Sequence, residues 1–203
     1  MSVGHTPEKR RQQRLFKKAN VDEYHHPDEK IEQLERLRPL IEYGKCEVLE
    51  VFAGQGNLTE WYEANTKRVT PMSRQTTGDS FHEIYRIRAD RKKFDIIDID
   101  SYGYPSRFFP VVFEMMKDRA LLVITFPVVG VACLNGITEQ HFINFYRSAR
   151  PTIGDVTGIL TDMGLREWIQ VSLHEVRKIK RIYRMVFLCR KEKATEFCNV
   201  KNQ

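Results

Sequence analysis

The sequence has little cysteine, and no two cysteines stand at a spacing typical of metal or redox sites. The four thiols, Cys46, Cys133, Cys189 and Cys198, lie far apart in a chain of 203 residues. Zinc sites and redox motifs usually need cysteine pairs about two to four residues apart. We therefore expect no metal site and reduced thiols, which are typical of a cytoplasmic protein.

Long apolar segments are also missing. The longest run, from Ala120 to Leu134, is shorter than the roughly 20 residues of a membrane-spanning helix. The start, MSVGHTPEKRRQQR, is polar, so no signal peptide is expected there. Hydrophobic residues make up 41% of the chain and charged residues 30%, as in globular proteins. We expect no membrane partner, a basic and flexible arm over residues 1–20, and one folded domain over residues 21–203.

Acidic residues are in the minority. The chain has 33 Lys and Arg residues against 27 Asp and Glu residues, a net charge of +6. This excess favours a polyanionic partner such as nucleic acid. Two basic clusters could contact phosphates: the arm, and a predicted hairpin turn that carries Arg177, Lys178, Lys180 and Arg181. Either cluster could equally be ordinary solvated surface.

What the chain does have is a glycine turn after an apolar segment. Residues Glu47 to Thr59 read EVLEVFAGQGNLT. The apolar run predicts a strand that stops at AGQG, where Gly54 and Gly56 allow a tight turn and close approach to a ligand. Asn57 is expected to cap the helix that follows. This order of elements is typical of a nucleotide-binding α/β sheet with its ligand at the carboxyl end of the strand.

This turn lacks the features of a dinucleotide site. That fingerprint needs a third glycine and an acid about 20 residues further on, and threonines stand at both places, Thr59 and Thr70. Instead, Glu50 precedes Gly54 in the pattern E-x-x-x-G-x-G. An acid at a strand end suits a ligand with a cationic amino-acid end. A turn that binds nothing is the alternative.

A second informative segment, FDIIDIDSYGYPSRFFP, runs from Phe94 to Pro110. A buried strand is predicted over Phe94 to Ile99, and Asp100, Ser101 and Tyr102 follow it. An acid, a small residue and an aromatic residue at a strand end resemble the D-P-P-Y arrangement of the amino-methyltransferases, which act on exocyclic amines. A carboxylate and a backbone carbonyl can accept the amine hydrogens and direct the nitrogen lone pair, while the ring stacks on a base. An acidic loop without function is the alternative.

Together these segments resemble the class I S-adenosylmethionine-dependent methyltransferases. E-x-x-x-G-x-G is similar to their first motif, and residues 78–80, GDS, are similar to their third. DIDSYGYPSRF resembles the D-x-D-P-Y/F-G-S-P segment of the tRNA guanine-N2 dimethyltransferases, with Ser101 and Tyr104 in place of the usual proline and serine. The resemblance covers about residues 45–190. It implies a doubly wound, mostly parallel Rossmann-like α/β sheet with a C-terminal antiparallel hairpin.

The resemblance also implies a cofactor, S-adenosyl-L-methionine, and a target, the exocyclic amine of a nucleic-acid base. The residues that it places around the cofactor are Glu50, Phe52, Ala53, Gly54, Gly56, Asn57, Asp79 and Ser80. Asp100, Ser101 and Tyr102 would position the target amine, and Asp98 would matter less. Asp79 could also cap a helix, and the two roles are compatible.

The chain departs from the family in two respects. The stretch TPMSRQTTG has no acid for the ribose hydroxyls, and the usual strand, helix, strand section between the second predicted strand and Phe94 is shortened. Two alternatives therefore stay open: methylation of a small molecule or a protein, and a binding module that has lost catalysis.

Periodicity predicts the remaining elements. The expected helices run from Asp28 to Gly44, from Phe81 to Ala89, near Glu114–Lys117, after Thr138, and from Thr152 or Asp155 to Gly164. The expected strands are Lys67 to Met72, ended by Pro71, then Ala120 to Phe126, and an antiparallel edge pair, WIQVSLHEV and RIYRMVFLC. The loop over residues 125–138 could close over the substrate.

Overall fold

A computed structural model describes residues 26–54, 56–73, 79–101, 105–127, 139–180 and 182–192. The predicted arm over residues 1–20, Tyr102, Thr138, Arg181 and most of the predicted substrate loop lie outside these ranges. The strands are β1 (Glu47–Val51), β2 (Arg68–Met72), β3 (Phe94–Ile99), β4 (Met116–Pro127), β5 (Ile169–Ile179) and β6 (Ile182–Lys191). The α-helices are α1 (Pro27–Arg36), α2 (Asn57–Asn65), α3 (Ser80–Ala89), α4 (Phe109–Val112), α5 (Glu139–Tyr146) and α6 (Ile153–Arg166).

The six strands form one sheet in the order β2-β1-β3-β4-β6-β5. β2, β1, β3 and β4 are parallel, whereas β6 is antiparallel to both β4 and β5. The doubly wound sheet with a C-terminal antiparallel hairpin is therefore confirmed. After β1 the chain continues to β2 on one side, and β3 lies on the other. This reversal is a topological switch point, where open α/β sheets bind their ligands.

Helices cover both faces of the sheet, so the central strands are buried on both sides. Helices α3 to α6 pack on one face, where Leu49, Ile97 and Leu122 belong to the larger apolar core. Helices α1 and α2 pack on the other face, against Val48 and Ile96. Burial on both faces explains the nearly continuous apolar runs of β1 and β3.

Two predicted features near the first strand are wrong. The first helix ends at Arg36 instead of Gly44, because the proline ring of Pro39 disfavours helical backbone in the residue before it. Leu40 is consequently exposed rather than part of the core. Asn57 is the first residue of α2, not its cap. Gly56 takes the cap position with a φ of 96°.

Two further boundaries differ for local reasons. Pro71 lies inside β2 rather than ending the strand, which is possible because β2 is an edge strand and its free side needs no N–H donor. The region Glu114–Lys117 is not helical throughout. A helical crossover runs from Pro105 to Met115 as two 3₁₀ turns around α4, and β4 begins at Met116.

The last helix begins as predicted but continues past its predicted end. Thr152 is the cap, and Asp155 completes a capping box with it. The helix passes Gly164 and ends at Arg166. Gly164 is a packing position: a Cβ there would lie 2.7 Å from the Ile169 carbonyl oxygen and still closer to the Val171 side chain.

The substitution Gly164→Ala should therefore destabilise the fold, even though alanine favours helices. Overpacking of this kind usually costs about 1–3 kcal/mol. Gly158 in the same helix is the matched control, because a Cβ there meets nothing within 4 Å. Gly158→Ala should stabilise the protein by about 0.5–1 kcal/mol. Denaturant unfolding of both variants measures the difference, and equal effects would contradict the packing role of Gly164.

The basic hairpin is partly engaged within the protein itself. Arg177 donates to Glu32 Oε2 at 2.6 Å and to the Glu29 carbonyl oxygen at 3.1 Å, both in α1. Lys178 and Lys180 are exposed. The described part of the hairpin therefore offers two lysines to a phosphate, since Arg177 holds the hairpin against α1. None of the described helices is long and apolar enough to cross a membrane.

Candidate active site at the carboxyl ends of the strands

Three carboxyl groups meet where β1 and β3 end. Glu50 and Asp98 are paired in register on these parallel strands, one step beyond the apolar pair Val48 and Ile96 on the same face. Asp100 follows β3 two residues after Asp98 and therefore extends on the same side. The face under α1 and α2 thus changes from apolar to acidic at the switch point of the sheet.

The glycine turn lies directly after β1 and is tied to both neighbouring strands. Phe52, Gly54 and Gly56 all have positive φ angles, of 70°, 58° and 96°. The Ala53 N–H donates to the Met72 carbonyl at the end of β2, at 2.8 Å. The Asp100 N–H donates to the Val51 carbonyl at 3.1 Å. Left-handed backbone is unusual for a residue as bulky as phenylalanine, and such strain is concentrated at functional sites.

Asp98 and Arg184 form an ion pair that is fully buried. Arg184 Nη2 donates to Asp98 Oδ2 at 2.5 Å, and both side chains have 0% exposure. The Tyr62 hydroxyl donates to the same oxygen at 2.8 Å. Arg184 Nη1 also donates to Thr125 Oγ1 at 3.1 Å. Burial lowers the pKa of Arg184, but Asp98 and Asp100 outweigh burial and raise it, so the guanidinium stays charged.

Asp100 is held by a lysine from the helix that precedes β1. Lys30 Nζ donates to Asp100 Oδ2 at 2.5 Å, and the lysine side chain is only 3% exposed. Arg184 Nη1 lies 4.0 Å from the other carboxylate oxygen. Burial raises the pKa of Asp100, but Lys30 and Arg184 more than offset burial and hold it below its usual range. Asp100 is therefore a carboxylate with one oxygen occupied by Lys30.

Glu50 is buried, and no cation of the described residues forms an ion pair with it. Its side chain accepts a hydrogen bond at 2.6 Å from the Thr59 hydroxyl on α2, and the residue is 1% exposed. Burial, together with the charges of Asp98 and Asp100, raises the pKa of Glu50 to about 8, against the opposing effects of Thr59 and Arg184. The burial of Glu50 therefore favours its neutral form over the carboxylate.

The predicted adenine-binding residues begin α3. Asp79 accepts a hydrogen bond from the Phe81 N–H at 2.9 Å, which confirms it as a helix cap and lowers its pKa. Its side chain is largely exposed. Phe81 packs edge-on against Phe108, which in turn contacts Phe52 in the glycine turn. Aromatic packing therefore connects the start of α3 to the turn, and contact of Asp79 with adenine stays a prediction.

Several residues of the site were not predicted from the sequence. They are Lys30, Tyr62, Thr125 and Arg184. Two of them had a signal in the sequence: Lys30 shares the apolar helix stripe of Leu34 and Leu37, and Arg184 interrupts an apolar strand. A charged residue among buried apolar side chains needs a partner of opposite charge. Lys30 is paired with Asp100, directly after β3, and Arg184 is paired with Asp98 in β3. Ser101 is buried and donates weakly, at 3.4 Å, to the Thr125 carbonyl.

The described residues fit the amino-acid end of S-adenosyl-L-methionine. Asp98 Oδ1 is buried and has no hydrogen-bond partner among the described residues. Among the same residues, the hydrogen-bond partner of Glu50 is the Thr59 hydroxyl. Unmet acceptors next to a glycine turn suit a ligand that carries an ammonium group and a positively charged sulfur. Within the described ranges, no cluster of His, Cys, Asp and Glu could hold a metal ion.

The substitution Gly54→Val should abolish cofactor binding. A β-branched residue is strained at the φ of 58° that Gly54 adopts, so the turn would rearrange. Gly44→Val is the matched control, because a Cβ at Gly44 meets nothing within 4 Å and the residue lies in a turn before β1. Calorimetric titration with S-adenosyl-L-methionine measures both variants, and wild-type affinity in Gly54→Val would contradict the role of the turn.

The fold is similar to those of several solved structures. Trm1 from Pyrococcus horikoshii, determined with S-adenosyl-L-methionine, is similar with a TM-score of 0.58 and 14% identity, over 76% of this chain and 52% of that one. A proposed S-adenosylmethionine-dependent methyltransferase from Streptococcus mutans has a TM-score of 0.52 and 8% identity, over 72% and 45%. A proposed hemolysin from Streptococcus thermophilus has a TM-score of 0.53 and 14% identity, over 79% and 65%.

The chain thus spans about half the length of the first two of these proteins. No protein-family model and no curated protein sequence matches it. At such low identity the likeness concerns the fold, and it agrees with the resemblance inferred from the two motifs. The chain has the Rossmann-like fold of the class I S-adenosylmethionine-dependent methyltransferases.

Proposed function

We propose that this chain is an S-adenosylmethionine-dependent methyltransferase that acts on an exocyclic amine of a nucleic-acid base. One observation carries the proposal. On a methyltransferase fold, Glu50 and Asp98 lie next to each other in the register of β1 and β3, beside the glycine turn, and Asp100 follows directly after β3. The fold places ligands at this end of the strands. The residues there have the chemistry for both a cationic cofactor and an amine.

The cofactor, when bound, supplies a methyl group on a positively charged sulfur. Glu50 and the turn through Gly54 and Gly56 would hold its amino-acid end, and Asp79 its adenine. Asp100 would accept a hydrogen of the target amine and thereby aim the nitrogen lone pair. The amine can lose its proton after transfer, so no general base is required beforehand. Tyr102 would stack on the base.

Lys30 must leave Asp100 before an amine can take its place. Its ammonium occupies Oδ2 at 2.5 Å, the position that the target's N–H would use. Lys30 belongs to α1, a ten-residue helix that ends before the first strand. Arg177 of β5 contacts this helix through an ion pair with Glu32. A shift of α1, or a new rotamer of Lys30, would free the oxygen.

A second candidate is a binding module of the same fold without catalysis. The contact between Lys30 and Asp100 supports it, because a carboxylate already satisfied by two cations needs no substrate. Such a module would bind S-adenosyl-L-methionine and transfer nothing. A methyltransferase for a small molecule or a protein is a third possibility, and it would share the cofactor site.

Methyl transfer from labelled S-adenosyl-L-methionine to separate pools of tRNA, rRNA, DNA and protein tests these candidates. We expect label in a nucleic-acid pool, recovered as an N-methylated base. Label only in protein, or in a small-molecule extract, would favour the third candidate. Cofactor binding without transfer to any pool would favour the module.

A further inference from the structure

We propose that Glu50 is protonated in the cofactor-free protein and binds the cofactor's cationic end as a carboxylate, so that binding releases one proton from this side chain. The inference rests on the proposed function, because it concerns the same cofactor site. The inference follows from the number of charged groups that the fold buries around Glu50 and from the contacts between those groups.

Among the described residues, three carboxyl groups share this cluster with two cations. Asp98 is paired with Arg184, and Asp100 is paired with Lys30, each at 2.5 Å. Within each pair the positive and the negative charge cancel. Glu50 is left with the Thr59 hydroxyl as its hydrogen-bond partner among the described residues. An ionised Glu50 would therefore be an uncompensated charge at 1% exposure, which is strongly unfavourable.

The described elements around Glu50 set this balance, and β2 pairs with Glu50 through the uncharged Pro71. β3 presents the two aspartates, β6 presents Arg184, and α1 presents Lys30 towards Asp100. α2 presents only uncharged donors, the hydroxyls of Thr59 and Tyr62, and the second of these bonds to Asp98. The negative charges of β3 and burial together outweigh Arg184, in agreement with a pKa of about 8 for Glu50.

The cofactor carries the charge that the cluster lacks. S-adenosyl-L-methionine has an ammonium, a carboxylate and a sulfonium group, a net charge of one positive unit. When the cofactor's positive group lies beside Glu50, the carboxyl group loses its proton and pairs with that group. The buried positive and negative charges are then equal in number again. The demethylated product has a neutral sulfur and no net charge. It therefore favours the carboxylate of Glu50 less and should release fewer protons on binding.

Calorimetric titration at pH 6.5, in two buffers with different ionisation enthalpies, counts the protons released. We expect close to one proton for S-adenosyl-L-methionine and clearly fewer for S-adenosylhomocysteine. An analogue with an ammonium group in place of the sulfonium should behave like the cofactor. The affinity for S-adenosyl-L-methionine should rise about tenfold per pH unit from pH 5.5 to 7.5 and level off above pH 8.

Two variants test whether the released proton comes from Glu50. Glu50→Gln should bind more weakly and lose both the buffer dependence and the pH dependence. Glu60→Gln, on the exposed side of α2, should keep both. Binding without proton release, or equal release from Glu50→Gln, would overturn the inference and leave the proposed function intact. Absence of binding would overturn both.

A stability measurement tests the same group without any ligand. A carboxyl whose pKa is raised on folding, from 4.5 to about 8, contributes stability that is full below pH 4.5 and lost as the pH rises through 8. Glu50→Gln has no such loss. Its unfolding midpoint should therefore rise relative to wild type between pH 5 and 8 and stay constant above. A difference that does not change with pH would contradict a protonated Glu50.

Discussion

The substitution Asp100→Asn should lower the rate of methyl transfer by about 10²- to 10³-fold, the effect of losing one preorganised polar contact at a reacting centre. An amide presents hydrogens where the carboxylate presents an acceptor, so it opposes the target's own N–H groups. Cofactor affinity should change little, because the role proposed for Asp100 is to bind the target amine. Single-turnover transfer and calorimetric titration measure the two effects separately.

Asp95→Asn is the matched control for Asp100→Asn. Asp95 also belongs to β3, but it contacts Lys117 and the Glu47 N–H at the opposite end of the strand. Its replacement should leave the transfer rate within a few fold of wild type. Full activity in Asp100→Asn would contradict the amine-binding role. Loss of cofactor binding in that variant would instead assign Asp100 to the cofactor site.

The substitution Arg184→Met should destabilise the protein by about 3–5 kcal/mol, the usual cost of removing one partner of a buried ion pair. Asp98 would be left at 0% exposure with the Tyr62 hydroxyl as its remaining partner. Asp100 would lose its second cation. The free energy of unfolding in denaturant measures the effect.

An exposed ion pair provides the comparison for Arg184→Met. Arg86 contacts Glu83 on the surface of α3, so Arg86→Met should cost at most about 1 kcal/mol. The double variant Asp98→Asn with Arg184→Met should be less destabilised than the sum of the two single variants, because each removes the other's unpaired charge. Additive effects would mean that the pair is not coupled.

The strands that carry the site were predictable because their signals are local. The segment Phe94–Ile99 has four apolar residues among its six and lies between Lys93 and Asp100, and the structure has β3 over the same residues. Gly54 and Gly56 were expected to form a turn, and both have the positive φ angles that explain why glycine stands there. The sequence also predicted that Asp79 caps a helix, since capping depends on neighbouring residues.

The contacts within the site were not predictable, because they join distant segments. Lys30 and Asp100 are 70 residues apart in sequence, and Asp98 and Arg184 are 86 apart. Periodicity places a residue on a face of its own helix or strand, but the sheet order decides which faces meet. The contacts of Asp98 were missed for this reason, because its neighbours come from α2 and β6.

Glycine and proline were misinterpreted where two physical effects compete. Gly164 was expected to end a helix, since glycine is common just after helix ends, but it allows α6 to approach β5 instead. Leu40 and Ile41 continue the helical spacing of α1, yet Pro39 ends the helix before them. Hydrophobic periodicity alone does not reveal either outcome.

A crystal structure of the protein with S-adenosyl-L-methionine would locate the cofactor directly. We expect the cofactor to lie over the turn at Gly54, with its ammonium or sulfonium group facing Glu50. A Glu50 oxygen should be about 2.7–3.2 Å from the ammonium nitrogen, or the sulfur should face it across the same pocket. The methyl group should point towards Asp100. A cofactor bound elsewhere on the chain, with Glu50 still bonded to Thr59 and not to the cofactor, would contradict the cofactor site proposed at Glu50 and Gly54.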